Sequence, residues 1–243
     1  MKRFSALFLI LISAPIFGQD LHLVERELVK FFIKAEYYPH NPLKATKKDG
    51  SVEDSVFQAK FLEITSTIPG TLTYPFDSLK LLSPYLTTGS IFSSNDSSAR
   101  IYCLRSRNYF QYKFGDGVRS ILLPVEKGAL EFRRGYRNLY SFSDNKKTYY
   151  LGIYLFADGE GVRIFSINPK GSVDTLPLFK TKEGMKNKIM YHAKNCRDNP
   201  DGYIYFDALN KVLYMPVTND SGELKKKPEA YKFNGKFFKK SGK

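Results

Sequence analysis

The two cysteines and one nearby histidine are the first residues of this sequence whose types could do chemistry. His192 precedes Cys196 by four residues, a helical spacing, and a histidine within reach of a thiol can activate it as a nucleophile. An ordinary surface histidine and a structural cysteine account for the same pair. Cys103 and Cys196 could instead form a disulfide bond, or remain two small buried side chains that never meet.

Carboxylates near residue 200 raise the question of a metal site. Asp198, Asp201 and the more distant Asp207 offer the oxygen ligands that calcium prefers. Pro200 interrupts the order of a calcium-binding loop, and Asp201-Gly202 is ordinary turn chemistry before a strand. The sequence therefore predicts a turn here, and it predicts no metal or other cofactor.

Other acidic residues are scattered along the chain without a recognisable motif. The sequence contains no Gly-rich phosphate loop, no Gly-x-Ser-x-Gly elbow and no paired histidines of zinc-protease spacing. A hydrolase that uses scattered carboxylates stays open as an alternative, and its first candidate acids are Asp96, Asp116, Glu131 and Asp158.

A lysine-rich, aromatic-rich tail offers a possible binding surface. Its candidate binding residues are Lys225, Lys226, Lys227, Lys239 and Lys240, interleaved with Tyr231, Phe233, Phe237 and Phe238. Basic residues that alternate with aromatic ones can bind an anionic polymer. Lysines in a terminal hairpin can also protect an exposed sheet edge from pairing with another chain, and this second interpretation is the one the pattern favours.

Three arginines form a smaller basic group beside a turn. Arg133, Arg134 and Arg137 surround Gly135-Tyr136. Arginine clusters can hold carboxylate or phosphate groups through paired hydrogen bonds. A solvated corner of the fold explains the same cluster, so these residues are weaker candidates for binding.

Two amphipathic helices and a series of strands must position these residues. Apolar residues at three- and four-residue steps predict one helix over 20–38, capped by Asp20 and stopped by Pro39, and a second from about Val52 to Thr67, capped by Ser51. From about residue 91, turn signals recur every ten to fourteen residues, and Asn234-Gly235 predicts a two-residue hairpin.

These elements predict an α+β, mostly β fold. We expect the two helices to pack on an antiparallel meander that forms a barrel or a sandwich, and a propeller-like arrangement stays open. The expected division is a signal peptide over 1–19, a helical segment over 20–86 and a β-rich domain over 87–243.

The first nineteen residues have the order of a cleavable signal peptide. Lys2 and Arg3 precede an apolar run that is too short to span a bilayer, and small residues precede a cut after Gly18 or Gln19. No cysteine lies near the cut, so a lipid anchor is not predicted. We expect export to the periplasm or beyond the cell, and no transmembrane segment.

Two stretches resemble a group of exported proteins of Gram-negative bacteria for which no activity is known. The first runs from Ile91 through Asp96 to Arg100-Ile101-Tyr102, and the second comprises a strand over 211–216 and an aromatic-Asn-Gly-Lys-Phe hairpin over 233–237. The resemblance implies export, two leading helices and a β-rich remainder. It implies no functional residue.

The net charge of the chain indicates which kinds of partner it encounters. The chain carries a formal net charge of +14, which favours encounter with anionic partners. We expect a non-catalytic envelope or secreted protein that binds another protein or an anionic polymer such as a polysaccharide, with nucleic acid disfavoured. A carboxylate-dependent hydrolase and an accessory subunit that docks through its N-terminal helices are the alternatives.

Overall fold

The computed structural model describes residues 20–40, 47–78, 90–104, 107–123, 135–156, 159–192, 203–219, 223–225 and 227–241. The signal peptide expected over 1–19 lies outside these residues.

The first helix forms where its apolar periodicity predicts it. Helix α1 spans Leu21–His40, and Asp20 caps it by accepting the His22 N–H at Oδ1, at 2.9 Å. Leu28 and Phe32 are buried on its inner face. The helix includes Pro39, whose fixed φ is compatible with helical backbone, and ends one residue later at His40, because proline lacks an N–H and its ring crowds the carbonyl four residues earlier.

The second helix begins earlier than the sequence predicts. Helix α2 spans Lys47–Thr67, so Asp49-Gly50 is helical, and Ser51 lies inside the helix rather than at its cap. Turn-forming residues are tolerated there because the first N–H groups of a helix have no intrahelical partners. A 3₁₀ helix, Pro69–Leu72, follows α2.

Fifteen strands are described, and they form three sheets. In chain order they are β1 (Ser90–Ser93), β2 (Ala99–Leu104), β3 (Arg107–Phe114), β4 (Gly117–Leu122), β5 (Tyr136–Asp144), β6 (Lys147–Phe156), β7 (Gly159–Ile167), β8 (Val173–Thr175), β9 (Phe179–Thr181), β10 (Gly184–Lys186), β11 (Lys188–His192), β12 (Tyr205–Asp207), β13 (Val212–Met215), β14 (Glu229–Phe233) and β15 (Phe238–Lys240). The first sheet has the order β1-β2-β3-β4 and the second β11-β7-β6-β5, with β8 also paired to β7. The third sheet has the order β10-β9-β15-β14-β13-β12.

The helices and sheets stack as successive layers. Side chains of α1 and α2 pack on one face of the first sheet, and the other face of that sheet packs on the second sheet. The second sheet packs its remaining face on the third sheet. This stacking explains why β2 and β7 are buried almost throughout, instead of alternating between apolar and polar residues.

The predicted α+β, mostly β class is confirmed. Every strand pairing among the described residues is antiparallel except that of β9 with β15, and none of the three sheets closes into a barrel within those residues. None of the described helices combines the length and the apolar composition that a membrane span requires.

The C-terminal hairpin occupies the middle of the third sheet. Strand β15 pairs with β14 on one side and in parallel with β9 on the other, and the sheet edges are β10 and β12. The prediction of an edge hairpin is therefore wrong, because local sequence does not encode a pairing between segments about sixty residues apart.

The turn of this hairpin is longer than the predicted two residues. Phe233 pairs with Phe238, so four residues, Asn234 to Phe237, form the loop. The Asn234 side chain accepts the N–H groups of Lys236 and Phe237 at 3.0 and 2.9 Å, which stabilises the wider turn. Gly235 has a φ of 91°, the conformation that glycine adopts most easily.

Candidate anion-binding site

A row of three lysines crosses the solvent face of the third sheet. Phe179, Phe233 and Phe238 point into the core on strands β9, β14 and β15. Because side chains alternate between the two faces of a strand, the neighbouring Lys180, Lys232 and Lys239 point outward. We call these three residues the lysine row.

The register places the members of the lysine row directly beside one another. Lys232 pairs with Lys239 across β14 and β15, and Lys239 pairs with Lys180 across β15 and β9. Adjacent strands lie about 4.8 Å apart, so three positive charges begin within about 10 Å across the sheet.

Electrostatics makes this row unfavourable without a partner. Like charges directly opposite on neighbouring strands destabilise a sheet. All three lysines are exposed, and within the described part of the chain none of them forms an ion pair. Lys180 Nζ lies 5.1 Å from the ring centroid of Phe237, a contact that leaves its charge available to a ligand. The row is suited to binding anionic groups.

An exposed tyrosine pair lies on the same face, beside the row. Tyr205 on β12 pairs with Tyr214 on β13, and their rings stack with centroids 6.0 Å apart. Tyr205 is 56% exposed. The solvent face of the third sheet therefore combines aromatic and basic side chains, as the tail sequence suggested, although most of these residues come from outside the tail.

A cavity opens between the second and third sheets next to the lysine row. The chain crosses from β10 in the third sheet to β11 in the second at Asn187, and the space beside this crossing has a volume of 970 Å³. Among its described lining residues are two glutamates, Glu183 and Glu229, and six lysines: Lys180, Lys182, Lys186, Lys188, Lys239 and Lys240. We call this space the basic cavity.

One cluster in the basic cavity is internally neutralised. Glu229 pairs with Lys240 and also accepts the Tyr231 hydroxyl at 3.2 Å. Burial, followed by the charge and hydrogen bond of Glu229, raises the pKa of Tyr231 to about 12, so this phenol stays protonated at neutral pH. Lys186 pairs with Glu183 at 3.0 Å. Lys180, Lys182 and Lys239 form no ion pair among the described residues.

The structure separates the five lysines predicted from the tail. Lys239 belongs to the lysine row and Lys240 to the neutralised cluster. Lys225 and Lys227 are exposed and precede β14, whereas Lys226 lies outside the described residues. The order of lysines along the tail does not show which of them lie on the same face of the sheet. Pairing of β15 with β9 places Lys180, from outside the tail, beside Lys239.

The arginine cluster contains at least one structural residue. Arg137 forms an ion pair with the buried Glu160 and donates to the Ile204 carbonyl oxygen at 2.6 Å. Glu160 also accepts the Ile204 N–H at 2.6 Å, so the pair ties the second sheet to the segment before β12. Arg133 and Arg134 lie outside the described residues.

The candidate carboxylates that the structure describes serve in turns. Asp207 accepts the Asn210 N–H at 2.9 Å and the Asn210 side-chain amide at 2.7 Å, which lowers its pKa. Asp116 lies in the exposed turn between β3 and β4. The other candidates, Asp198, Asp201, Glu131 and Asp158, lie outside the described residues, and no potential metal-binding group of three acidic, histidine or cysteine residues occurs among the residues that are described.

Asp96 holds a hairpin loop in place. Its carboxylate accepts the Ser94 hydroxyl at 2.6 Å and the Ser98 N–H at 3.0 Å. Burial acts to raise its pKa, but these hydrogen bonds outweigh burial and lower it. Asn95 in the same loop accepts the Ser141 N–H at 2.6 Å, so the loop between β1 and β2 is fastened to the second sheet.

The cysteine and histidine candidates do not form a site within the described residues. Cys103 is buried between the first two sheets, and burial raises the pKa of its thiol to about 12. His192 is the last residue of strand β11, and its helical spacing to Cys196 stays a prediction because the described residues stop at His192. Cys196 lies outside the described residues, and its pairing with Cys103 stays a prediction.

Sequence reasoning missed Lys180, Lys182, Lys186 and Lys188 as members of the basic surface. These lysines recur at two- to four-residue steps in a stretch with no aromatic interleaving. The close spacing of these lysines was the only local indication of a basic surface. The crossing of the chain between two sheets, which local sequence does not encode, is what places them around one cavity.

Comparison with known proteins adds no family to this description. A scan of the chain against protein-family models matches none of them, and a search of the curated proteins also gives no match.

Proposed function

We propose that this is an exported, non-catalytic protein that binds an anionic polysaccharide through the solvent face of its third sheet. The observation that carries the proposal is the lysine row, in which three like charges stand in register without an ion pair among the described residues. An anionic chain lying across β14, β15 and β9 would neutralise this repulsion.

The position of the row supports binding over protection of a sheet edge. Edge lysines prevent a strand from pairing with another chain, but β14, β15 and β9 are already paired on both sides. Their backbone groups need no such protection. Since the lysine row does not protect a sheet edge, binding of an anionic ligand explains why three mutually repelling lysines lie side by side.

Binding to a polyanion tests this function. The row variant replaces Lys180, Lys232 and Lys239 with glutamine, and the control variant replaces Arg26, Lys113 and Lys170, which have the same total charge and lie outside the third sheet. We expect wild type and control to bind heparin and polygalacturonate at low salt. Because the row variant neutralises three fewer anionic groups, its log-affinity should fall with log salt concentration by about two units less steeply.

Two results would contradict the proposal. Equal binding by the row and control variants would show that only net charge matters. Tighter binding of a single-stranded oligonucleotide than of either polysaccharide, through the same lysines, would assign the face to nucleic acid.

Export is tested separately at the N-terminus. The charged, apolar and small residues over 1–19 support cleavage after Gly18 or Gln19. Mass spectrometry of the protein expressed in a Gram-negative host should find Gln19 or Asp20 as the first residue. Retention of Met1 in all fractions would remove export from the proposal.

A further inference from the structure

The basic cavity has two chemically different parts. Met215 and Tyr191 belong to the core between the second and third sheets, yet both also line the cavity. Ile189 and Tyr231 pack against the same core from the cavity side. The cavity floor is therefore an open end of the apolar core.

Lysines surround this apolar floor. Lys182 lies exposed in the turn between β9 and β10, at the mouth of the cavity, whereas Lys180 and Lys239 line the cavity from strands whose lysine side chains point to the solvent face of the third sheet. None of these three forms an ion pair among the described residues, whereas Lys186 and Lys240 are each paired with a glutamate. Lys182 therefore carries a charge at the mouth of the cavity that no ion pair among the described residues neutralises.

We propose that the basic cavity binds a single-chain anionic amphiphile, with its alkyl chain on the apolar floor and its carboxylate or phosphate head at Lys182. A volume of 970 Å³ lies at the upper end of the range of about 300–1,000 Å³ for small-molecule sites. Met215, an unbranched and adaptable side chain, suits a floor that must accommodate a flexible chain.

This ligand class follows from both parts of the cavity together. A polysaccharide would not cover the partly exposed apolar surface of Ile189 and Tyr231, and an uncharged lipid would leave the charge of Lys182 without a counter-charge. An alkyl chain extends the existing core, and an anionic head compensates the excess charge.

Calorimetric titration of the wild-type protein tests the proposal with ligands that differ in one feature. Octanoate, decanoate and dodecanoate, kept below their micelle-forming concentrations, should bind at one site, with affinity rising about three- to fourfold per added methylene. Decyl phosphate should bind like decanoate, and decanol at least about tenfold more weakly. Affinity independent of chain length, equal binding of decanol, or several ligands per protein would overturn the proposal.

Charge reversal at two matched turns locates the head group. Lys182→Glu should weaken decanoate binding about tenfold or more, whereas Lys170→Glu, in an exposed turn that does not line the cavity, should leave it unchanged. Lys232→Gln, in the lysine row but outside the cavity lining, should also leave decanoate binding unchanged. This site can thus fail or hold independently of polysaccharide binding. An equal effect of the Lys182 and Lys170 substitutions would overturn the assignment.

Discussion

Basic side chains lie on two sheet faces of this protein, one covered by the helices and the other exposed to solvent. On the first sheet, the face toward the helices contains Arg100, which is 7% exposed, and the buried Tyr102 and Gln111. On the third sheet, the lysine row is exposed to solvent. The first group bonds to its own chain, and the second has no ion pair among the described residues.

The buried group shows what a structural role requires. Arg100 donates to the Ser93 hydroxyl at 3.0 Å and to the carbonyl oxygens of Thr71 and Tyr74. Gln111 donates to the Thr65 carbonyl oxygen and the Thr71 hydroxyl, each at 2.7 Å. These bonds satisfy the Thr65 carbonyl oxygen in the last turn of α2, which the helix cannot satisfy internally, and carbonyl oxygens in and just after the 3₁₀ helix.

This contrast distinguishes basic residues that stabilise the fold, such as Arg100, from basic residues that are available to bind a ligand, such as the lysine row. Arg100 and Gln111, buried beneath the helices, each donate several hydrogen bonds, so their removal should cost stability. Exposed lysines in repulsive register contribute no such bonds, so their removal should cost binding and not stability.

The largest expected effect lies on the helix-facing side. Arg100→Met should lower the free energy of unfolding by about 3 kcal/mol, because it removes three donated hydrogen bonds and leaves the acceptors buried. Equilibrium urea unfolding followed by circular dichroism measures this change. Lys113→Met, at an exposed position of the same sheet, should change the free energy by less than about 0.5 kcal/mol. Equal effects of the two substitutions would remove the distinction between buried and exposed basic residues.

The helices and the antiparallel pairing of strands that follow one another in the chain could be predicted from local sequence, and the pairing of distant segments could not. The periodicity of Leu28 and Phe32 predicts α1, and Asp20 predicts its cap, because both signals lie within a few turns of helix. The parallel pairing of Phe179 with Phe238 joins distant segments, and no local pattern encodes it. That pairing turns a predicted edge hairpin into the centre of a sheet.

The candidate site was only partly predictable for the same reason. Lys239 and Lys240 are adjacent in sequence, yet they point to opposite faces of β15 and have different surroundings. Lys180 lies far from both in sequence and becomes the neighbour of Lys239 only through the parallel pairing. Residue type alone indicates a basic surface, but register decides which charges act together.

A binding role for the lysine row is tested most directly by the free energy of unfolding of the row variant, measured with and without polygalacturonate. Without the polymer, replacing Lys180, Lys232 and Lys239 with glutamine should raise the free energy of unfolding by about 0.5 to 1 kcal/mol, because cross-strand repulsion is removed. With saturating polymer, the wild type should gain stability through binding to its folded state, and the row variant should gain much less. A row variant that is less stable than the wild type without polymer, and stabilised as much by it, would contradict a binding role for the row.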